Sequence, residues 1–247
     1  VLGVLVNAVQ IPDTIARMER WIEARDGSRY IAVTGMHGVA EARRDPTVRR
    51  ALDAADMIVP DGMPLVWLGR LRGHPLRRRV YGPELMLEFC RATAGRGLRH
   101  YFYGGGPGVA DELTARLESR FPGLVVAGTH SPPFRPLTPA EDAQVVARIN
   151  ACAPDVVWVG LSTPKQERWM HEHRARLTAP VLVGVGAAFD MHAGRLPQAP
   201  VWMREHGGEW LYRLYREPRR LWRRYVLLGS AFVGNVSLEL LGLRRFD

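Results

Sequence analysis

The amino-acid sequence predicts an α/β fold: a mostly parallel sheet with helices on both faces, followed by a C-terminal helical appendage. Three observations predict it. Apolar runs of strand length alternate with amphipathic stretches of helix length over the first 200 residues or so. Several runs end in a turn that opens a helix, as at Pro60-Asp61-Gly62 and Gly104-Gly105-Gly106-Pro107-Gly108. From about Val201 the texture changes to Arg interleaved with Trp and Tyr, and no strand follows Val185.

In chain order, Val1 to Val9 and Tyr30 to Thr34 read as strands, with a helix from Pro12 to Ala24 between them. Gly38 to Ala55 reads as helix and Met57 to Val59 as a short strand ending at Pro60-Asp61-Gly62. Helices follow at Met63 to Leu71 and Pro83 to Thr93, then a strand at Arg99 to Tyr103, the glycine turn, and a helix to Phe121. Leu124 to Ala127 is a strand. Thr138-Pro139-Ala140-Glu141 opens the next helix with an N-cap hydroxyl, Pro at N1 and Glu at N3. Asp155 to Gly160 and Val181 to Val185 are strands around a helix from Pro164 to Arg176, with Pro164 at its N1 position. Residues 1–200 form the α/β core and 201–247 the basic, aromatic appendage.

Composition narrows the function classes. Of 247 residues, 47% are hydrophobic and 24% charged, which excludes a disordered chain. The 34 Lys+Arg exceed the 25 Asp+Glu, giving a net charge of +9. Cys90 and Cys152 make neither a disulfide framework nor a C-x-x-C zinc pair, so a reducing compartment is expected. No secretory signal opens the chain, and the longest weakly charged run, Val226 to Leu238, is too short to span a bilayer. Lysine occurs once, at Lys165; the other cations are Arg, a ratio that fits composition bias.

In open parallel sheets, ligands bind at the carboxyl ends of the strands. The polar residues there include Thr34 with His37, Asp61, the glycine turn with Gly104 and Gly105, Ser162 to Gln166, and Asp190 with His192. Asp61 is presented rigidly between a strand and a helix, as a catalytic carboxylate or as a turn and N-cap residue. The glycine turn offers free N–H groups to a phosphate, or is a tight connection without a ligand. It fails the dinucleotide pattern because Val109 stands at the third glycine position. Lys165 and Gln166 fall in the first turn of a helix, where a cation opposes the dipole unless an anion binds nearby. Asp190 and His192 lack a third ligand at metal spacing and no D-x-D is present, so any diphosphate must be met by arginines. Arg213, Arg216, Arg220 and Arg223 recur at helical spacing, although Pro218 interrupts them. Their interleaving with Trp and Tyr suits an anionic lipid surface or an anionic substrate; a solvated basic face and nucleic acid are the competing readings of the same charge.

Taken together, Pro60 to Trp67, Arg79-Val80-Tyr81-Gly82-Pro83, Tyr101 to Gly105, Gly160 to Glu167, Gly184 to Asp190 and Glu209-Trp210-Leu211-Tyr212-Arg213 resemble, in order, the WecG/TagA/CpsF family of bacterial glycosyltransferases. The resemblance runs from about Val1 to Tyr225. It implies a Rossmann-like sheet and an inverting, metal-independent enzyme without a cofactor. That enzyme would move a sugar, N-acetylmannosamine in the best-known cases, from a UDP-sugar to a polyprenyl-diphosphate-linked acceptor. Asp61 matches the family's base, Thr34 its polar residue after the second strand, and Gln166 a glutamine that contacts the donor. Arg79, Tyr81 and Asp190 lie in its motifs. Arg213, Arg220 and Arg223 or Arg224 match arginines expected to fold over the site and hold the diphosphate. The implied partners are the UDP-sugar, the lipid-linked acceptor, an anionic membrane surface at the cytoplasmic face, and a homo-oligomer off the membrane, with no nucleic acid. Two departures bear on the donor sugar: Gly35 follows Thr34 where the family usually has Asn, and Ser162-Thr163 replaces a glycine pair. A different donor such as a hexuronic acid, or a non-catalytic nucleotide-binding membrane scaffold, are the alternatives.

Overall fold

The computed structural model describes residues 1–246 and, within them, every side chain except those of Arg220 and Arg224. Among the described residues six strands form one parallel sheet: β1 Arg29–Thr34, β2 Met57–Pro60, β3 Arg99–Gly104, β4 Val125–His130, β5 Val156–Gly160 and β6 Val181–Gly184, in the order β2-β1-β6-β5-β3-β4. The helices of the body are α1 Ile11–Ala24, α2 Met36–Ala42, α3 Pro46–Asp53, α4 Met63–Leu71, α5 Gly82–Thr93, α6 Val109–Arg120, α7 Pro139–Ala151, α8 Lys165–His173 and α9 Ala188–His192. The four central strands are almost wholly buried, as continuous Val/Ile/Leu/aromatic runs require of a sheet covered on both faces.

Two cores sandwich the sheet. On one face Met18, Trp21, Leu85, Phe89, Leu113 and Phe189 bring α1, α5, α6 and α9 onto Ile31, Phe102, Trp158 and Val183. On the other, Val145, Ile149, Trp169 and Met170 bring α7 and α8 onto Tyr30, Tyr101, Val157 and Leu182. Helices α2 and α3 cover the β1–β2 edge. The α7 start is the capping box the sequence predicts: Thr138 Oγ1 accepts from Glu141 N at 3.3 Å, and Glu141 Oε2 accepts from Thr138 N at 2.8 Å.

Three expectations need correction. Val1 to Val9 forms no strand: Leu2 and Gly3 turn through positive φ of 51° and 81°. The segment then meets the β2 edge at one residue, where Asn7 N donates to Ile58 O and Ile58 N donates to Asn7 Oδ1, both at 2.8 Å. One side-chain amide thus satisfies the edge without a ladder. The stretch 38–55 is two helices, because the residue before a proline avoids helical φ/ψ and Asp45 instead caps α3, accepting from Thr47 N at 2.8 Å. Pro164 stands at the N-cap of α8 rather than N1, after a cis Thr163–Pro164 bond, and α8 starts at Lys165.

After α9 the described elements are all helical: α10 Val201–Glu205, α11 Glu209–Arg216, α12 Pro218–Trp222, a π-helical segment Arg223–Leu228, and α13 Gly229–Leu240. Pro218 ends α11 as the sequence predicts. The tail packs on the body: Phe232 and Val236 join Leu2, Val4, Leu65 and Leu68 in a third core, and Glu239 pairs with Arg72 at 2.9 Å.

Candidate active site

A cavity of about 420 Å³ opens at the carboxyl ends of β2, β1, β6 and β5. Its place follows from topology. The connection after β1 leads to α2 on one face and that after neighbouring β6 to α9 on the other, so the loops part and leave a crevice.

Asp61 lines this cavity. Its backbone N donates to Thr34 O at 2.9 Å, carrying the β1–β2 pairing one residue past the strand, and Gly62 turns away with φ 145° into α4. Gly35 makes the closeness possible, since a Cβ there would collide with the Asp61 carbonyl oxygen. The chain before α5 is tied to the end of β2 by Val80 N donating to Pro60 O at 2.8 Å, which brings Arg79 to 3.9 Å from Asp61 Oδ1.

Arg79 is the hub. It stacks at 4.0 Å over the Tyr81 ring and forms an ion pair with Glu209 from the appendage, while the Tyr81 hydroxyl lies 3.2 Å from the other Glu209 oxygen. Burial by itself would lower the Arg79 pKa, but Asp61, Glu209 and the hydrogen bond to Glu209 together hold it above the ordinary value. Arg213, four residues after Glu209 on α11, behaves likewise: burial opposes its charge, and Tyr225, Glu209, Tyr81 and Asp61 outweigh it. Burial, then the Glu209 charge, pushes the Tyr81 hydroxyl well up, so it remains a hydrogen-bond donor. Arg213 Nε is buried without a hydrogen-bond partner among the described residues, as is Gln166 Oε1. Gln166 lies beneath the β6 loop, its Nε2 donating to Glu167 Oε1 at 3.1 Å, which also accepts from Thr163 Oγ1 at 2.9 Å. Buried polar atoms without partners at a cavity wall are where a ligand's hydrogen bonds belong.

The structure thus brings Asp61, His37, Arg79, Tyr81, Gln166, Arg213 and Arg223 into one lining. His37 Nδ1 sits 3.9 Å from Glu41 Oε1, a second cavity carboxylate. Thr34 ends β1 as expected but is buried beneath Gly38, outside the lining. Gly104 and Gly105 are also outside it: a Cβ at Gly104 would lie 2.6 Å from Gly160 C, and one at Gly105 2.8 Å from Val109 Cβ, so the turn is packed against β5 and α6. Lys165 is exposed on α8 and Asp190 lies on α9, both outside the lining; the Asp190 backbone carbonyl accepts from Arg195 N and Leu196 N at 2.9 and 3.0 Å. The side chains of Arg220 and Arg224 lie outside the described residues. Sequence reasoning did not single out Glu209, Glu41, Trp210 or Tyr225 as lining residues. For Glu209 a signal existed: its i,i+4 spacing to Arg213 places both on one helix face. Among the described residues no three His, Cys, Asp or Glu converge as a metal site.

The family described as glycosyl transferase WecG/TagA/CpsF matches residues 1–246. An N-acetylglucosaminyldiphosphoundecaprenol N-acetyl-beta-D-mannosaminyltransferase of Bacillus spizizenii is 34% identical over 186 residues, 75% of this chain and 70% of the relative. Relatives of the same name from Bacillus subtilis and Staphylococcus aureus are 31% and 30% identical, over 71% and 70% of this chain and 66% of each relative.

Proposed function

Because the chain belongs to the WecG/TagA/CpsF family of glycosyl transferases, we propose that it transfers a sugar, N-acetylmannosamine as the first candidate, from a UDP-sugar to a polyprenyl-diphosphate-linked N-acetylglucosamine. The names of the relatives support the acceptor and the sugar. The observation that carries the reading is the Asp61 carboxylate held in the cavity wall 3.9 Å from largely buried Arg79. Asp61 takes the proton from an acceptor hydroxyl as that oxygen bonds to the anomeric carbon. The carbon–oxygen bond to the diphosphate breaks on the opposite side, its electron pair leaves with UDP, and configuration inverts. Arg79, Arg213 and Arg223 neutralise the departing diphosphate in place of a divalent ion, in a site where burial strengthens each contact.

The test is UDP release from a panel of UDP-sugars, with and without a short-chain polyprenyl-diphosphate-N-acetylglucosamine. Acceptor-dependent release from one donor, reduced roughly 10²-fold or more by Asp61→Asn, is expected of a positioned base. A variant retaining over about a tenth of wild-type turnover overturns the assignment of Asp61.

The appendage is read as the membrane contact. Trp202, Trp210, Leu211, Tyr215, Trp222 and Leu227 are exposed among its arginines, the pairing of aromatic and basic side chains that suits an anionic bilayer surface. No described helix is long and apolar enough to cross a membrane. Docking at the cytoplasmic face, and self-association through the same exposed face away from lipid, complete the proposal.

A further inference from the structure

Behind the wall made by Arg79 and Tyr81 lies a second cavity that sugar transfer at Asp61 does not use. It holds about 840 Å³, twice the volume at Asp61, and shares Met63, Arg79, Tyr81 and Pro83 with it, so one layer of side chains separates the two. Seven arginines and three glutamates line it. The glutamates are already engaged: Arg78 pairs with Glu84 at 3.4 Å and Glu205 at 2.8 Å, and Arg91 pairs with Glu88. Arg77, Arg120 and Arg204 have no ion-pair partner among the described residues. Arg204 Nε is buried without a hydrogen-bond partner among them, and its guanidinium lies 5.5 Å from the centre of the Tyr81 ring, on the dividing wall. Unpaired guanidinium groups gathered in a cavity fit a phosphate group, which they bind through paired N–H donors. The rest of the lining adds His192, Gln198 and His206 to an apolar part in which Leu87 and Phe121 are half-buried and Trp67 and Val201 are 48% and 55% exposed.

We infer that this cavity seats the diphosphate of a polyprenyl-diphosphate-linked acceptor, with the lipid chain leaving over Trp67 and Val201 and the sugar reaching past the Arg79–Tyr81 wall toward Asp61. The assignment rests on the glycosyl-transfer reading and adds the acceptor's subsite to it. The donor's diphosphate has no place here, because it leaves from the carbon attacked beside Asp61. A free diphosphate has no use for the apolar part of the lining.

The test is the double variant Arg77→Gln/Arg120→Gln, whose side chains are exposed and lie outside the Asp61 cavity. With a short-chain polyprenyl-diphosphate-N-acetylglucosamine, the acceptor KM is expected to rise roughly tenfold or more while donor KM and kcat stay within about twofold, since two charge-assisted contacts are lost on one substrate only. An unchanged acceptor KM overturns the assignment and leaves sugar transfer standing. Should the wild type transfer from no donor, the glycosyl-transfer reading fails separately and binding decides. Farnesyl diphosphate titrated calorimetrically should then bind about tenfold tighter than inorganic pyrophosphate, and in the double variant both should weaken roughly tenfold with that margin kept. Equal binding of the two marks a site for free diphosphate and overturns the lipid assignment.

Discussion

Removing Glu209 tests whether the appendage and the catalytic cavity are one unit. The Arg79 and Glu209 side chains are 13% and 9% exposed, so Glu209→Ala leaves a guanidinium buried without its nearest counter-charge. Breaking a buried pair in this way costs about 3–5 kcal/mol. Asp61 at 3.9 Å and the Tyr81 face at 4.0 Å remain to Arg79 and offset part of that, which lowers the expected loss to about 2–4 kcal/mol. For a protein of this length that is a fall in Tm of about 5–12 °C. Glu209→Gln, which keeps the volume and an acceptor for Tyr81, should lose less. Thermal unfolding by circular dichroism reads the shift, and limited trypsin digestion should show earlier cleavage in the Arg-rich tail of the Ala variant. UDP should raise the variant's Tm more than the wild type's, because its diphosphate restores negative charge beside Arg79. A Glu209→Ala protein melting within about 2 °C of wild type would refute the reasoning, since the pair would then carry no stability worth its burial.

Gly35→Ala should reduce kcat roughly 10²-fold with a modest stability loss, because the new methyl collides with the Asp61 carbonyl and displaces the carboxylate; turnover within threefold of wild type would contradict this. His100 makes the fold acid-sensitive: the Trp158 indole can only donate, so His100 Nδ1 accepts it at 3.1 Å and the ring is neutral, with Nε2 facing Thr93 Oγ1 at 2.9 Å. Burial pulls its pKa from 6.5 down to about 4, so in that window the unfolded chain binds a proton that the folded one refuses. Its contribution is fully present above pH 6.5 and lost as the pH falls to about 4, on the order of 3 kcal/mol. Burial lowers the pKa of His130 and His192 as well, so urea midpoints at pH 7 and 4.5 should diverge in the wild type and diverge less in His100→Asn. Trp202→Glu/Trp222→Glu should weaken sedimentation with anionic vesicles at least tenfold, as about 1.5–3 kcal/mol per inserted aromatic implies; unchanged sedimentation would remove these residues from the membrane contact.

The reach of the sequence can be judged at particular residues. The runs at 30–34, 99–103, 155–160 and 181–185 read as strands, and the structure has strands there to within a residue at either end, because a sheet covered on both faces needs apolar side chains on both sides. The capping box at Thr138 was legible because it is local: every group in its hydrogen bonds lies within three residues. The first nine residues were misread because their apolar pattern is that of a strand, whereas the turn at Leu2-Gly3 and the single Asn7 clasp on Ile58 depend on what the β2 edge offers.

The site divides the same way. Asp61 was legible from Pro-Asp-Gly between a strand and a helix, a local arrangement that presents a carboxylate whatever surrounds it. The glycine turn carried the same kind of local signal, yet it packs on β5 and α6 away from the cavity, because which turns share a crevice is set by strand order. Glu209 illustrates the opposite case: in sequence it is one acid among Trp, Tyr and Arg, and its partners Arg79 and Tyr81 lie about 130 residues away. The sequence by itself determined the sheet, its helical cover, the presented carboxylate and the basic aromatic tail, since periodicity, caps and turns act over a few neighbours. Only the tertiary structure decided which of these residues meet: Glu209 on Arg79, Gln166 under β6, and a second basic cavity one side chain behind the first. Those contacts arise from strand order and the docking of the tail, and both are properties of the whole chain.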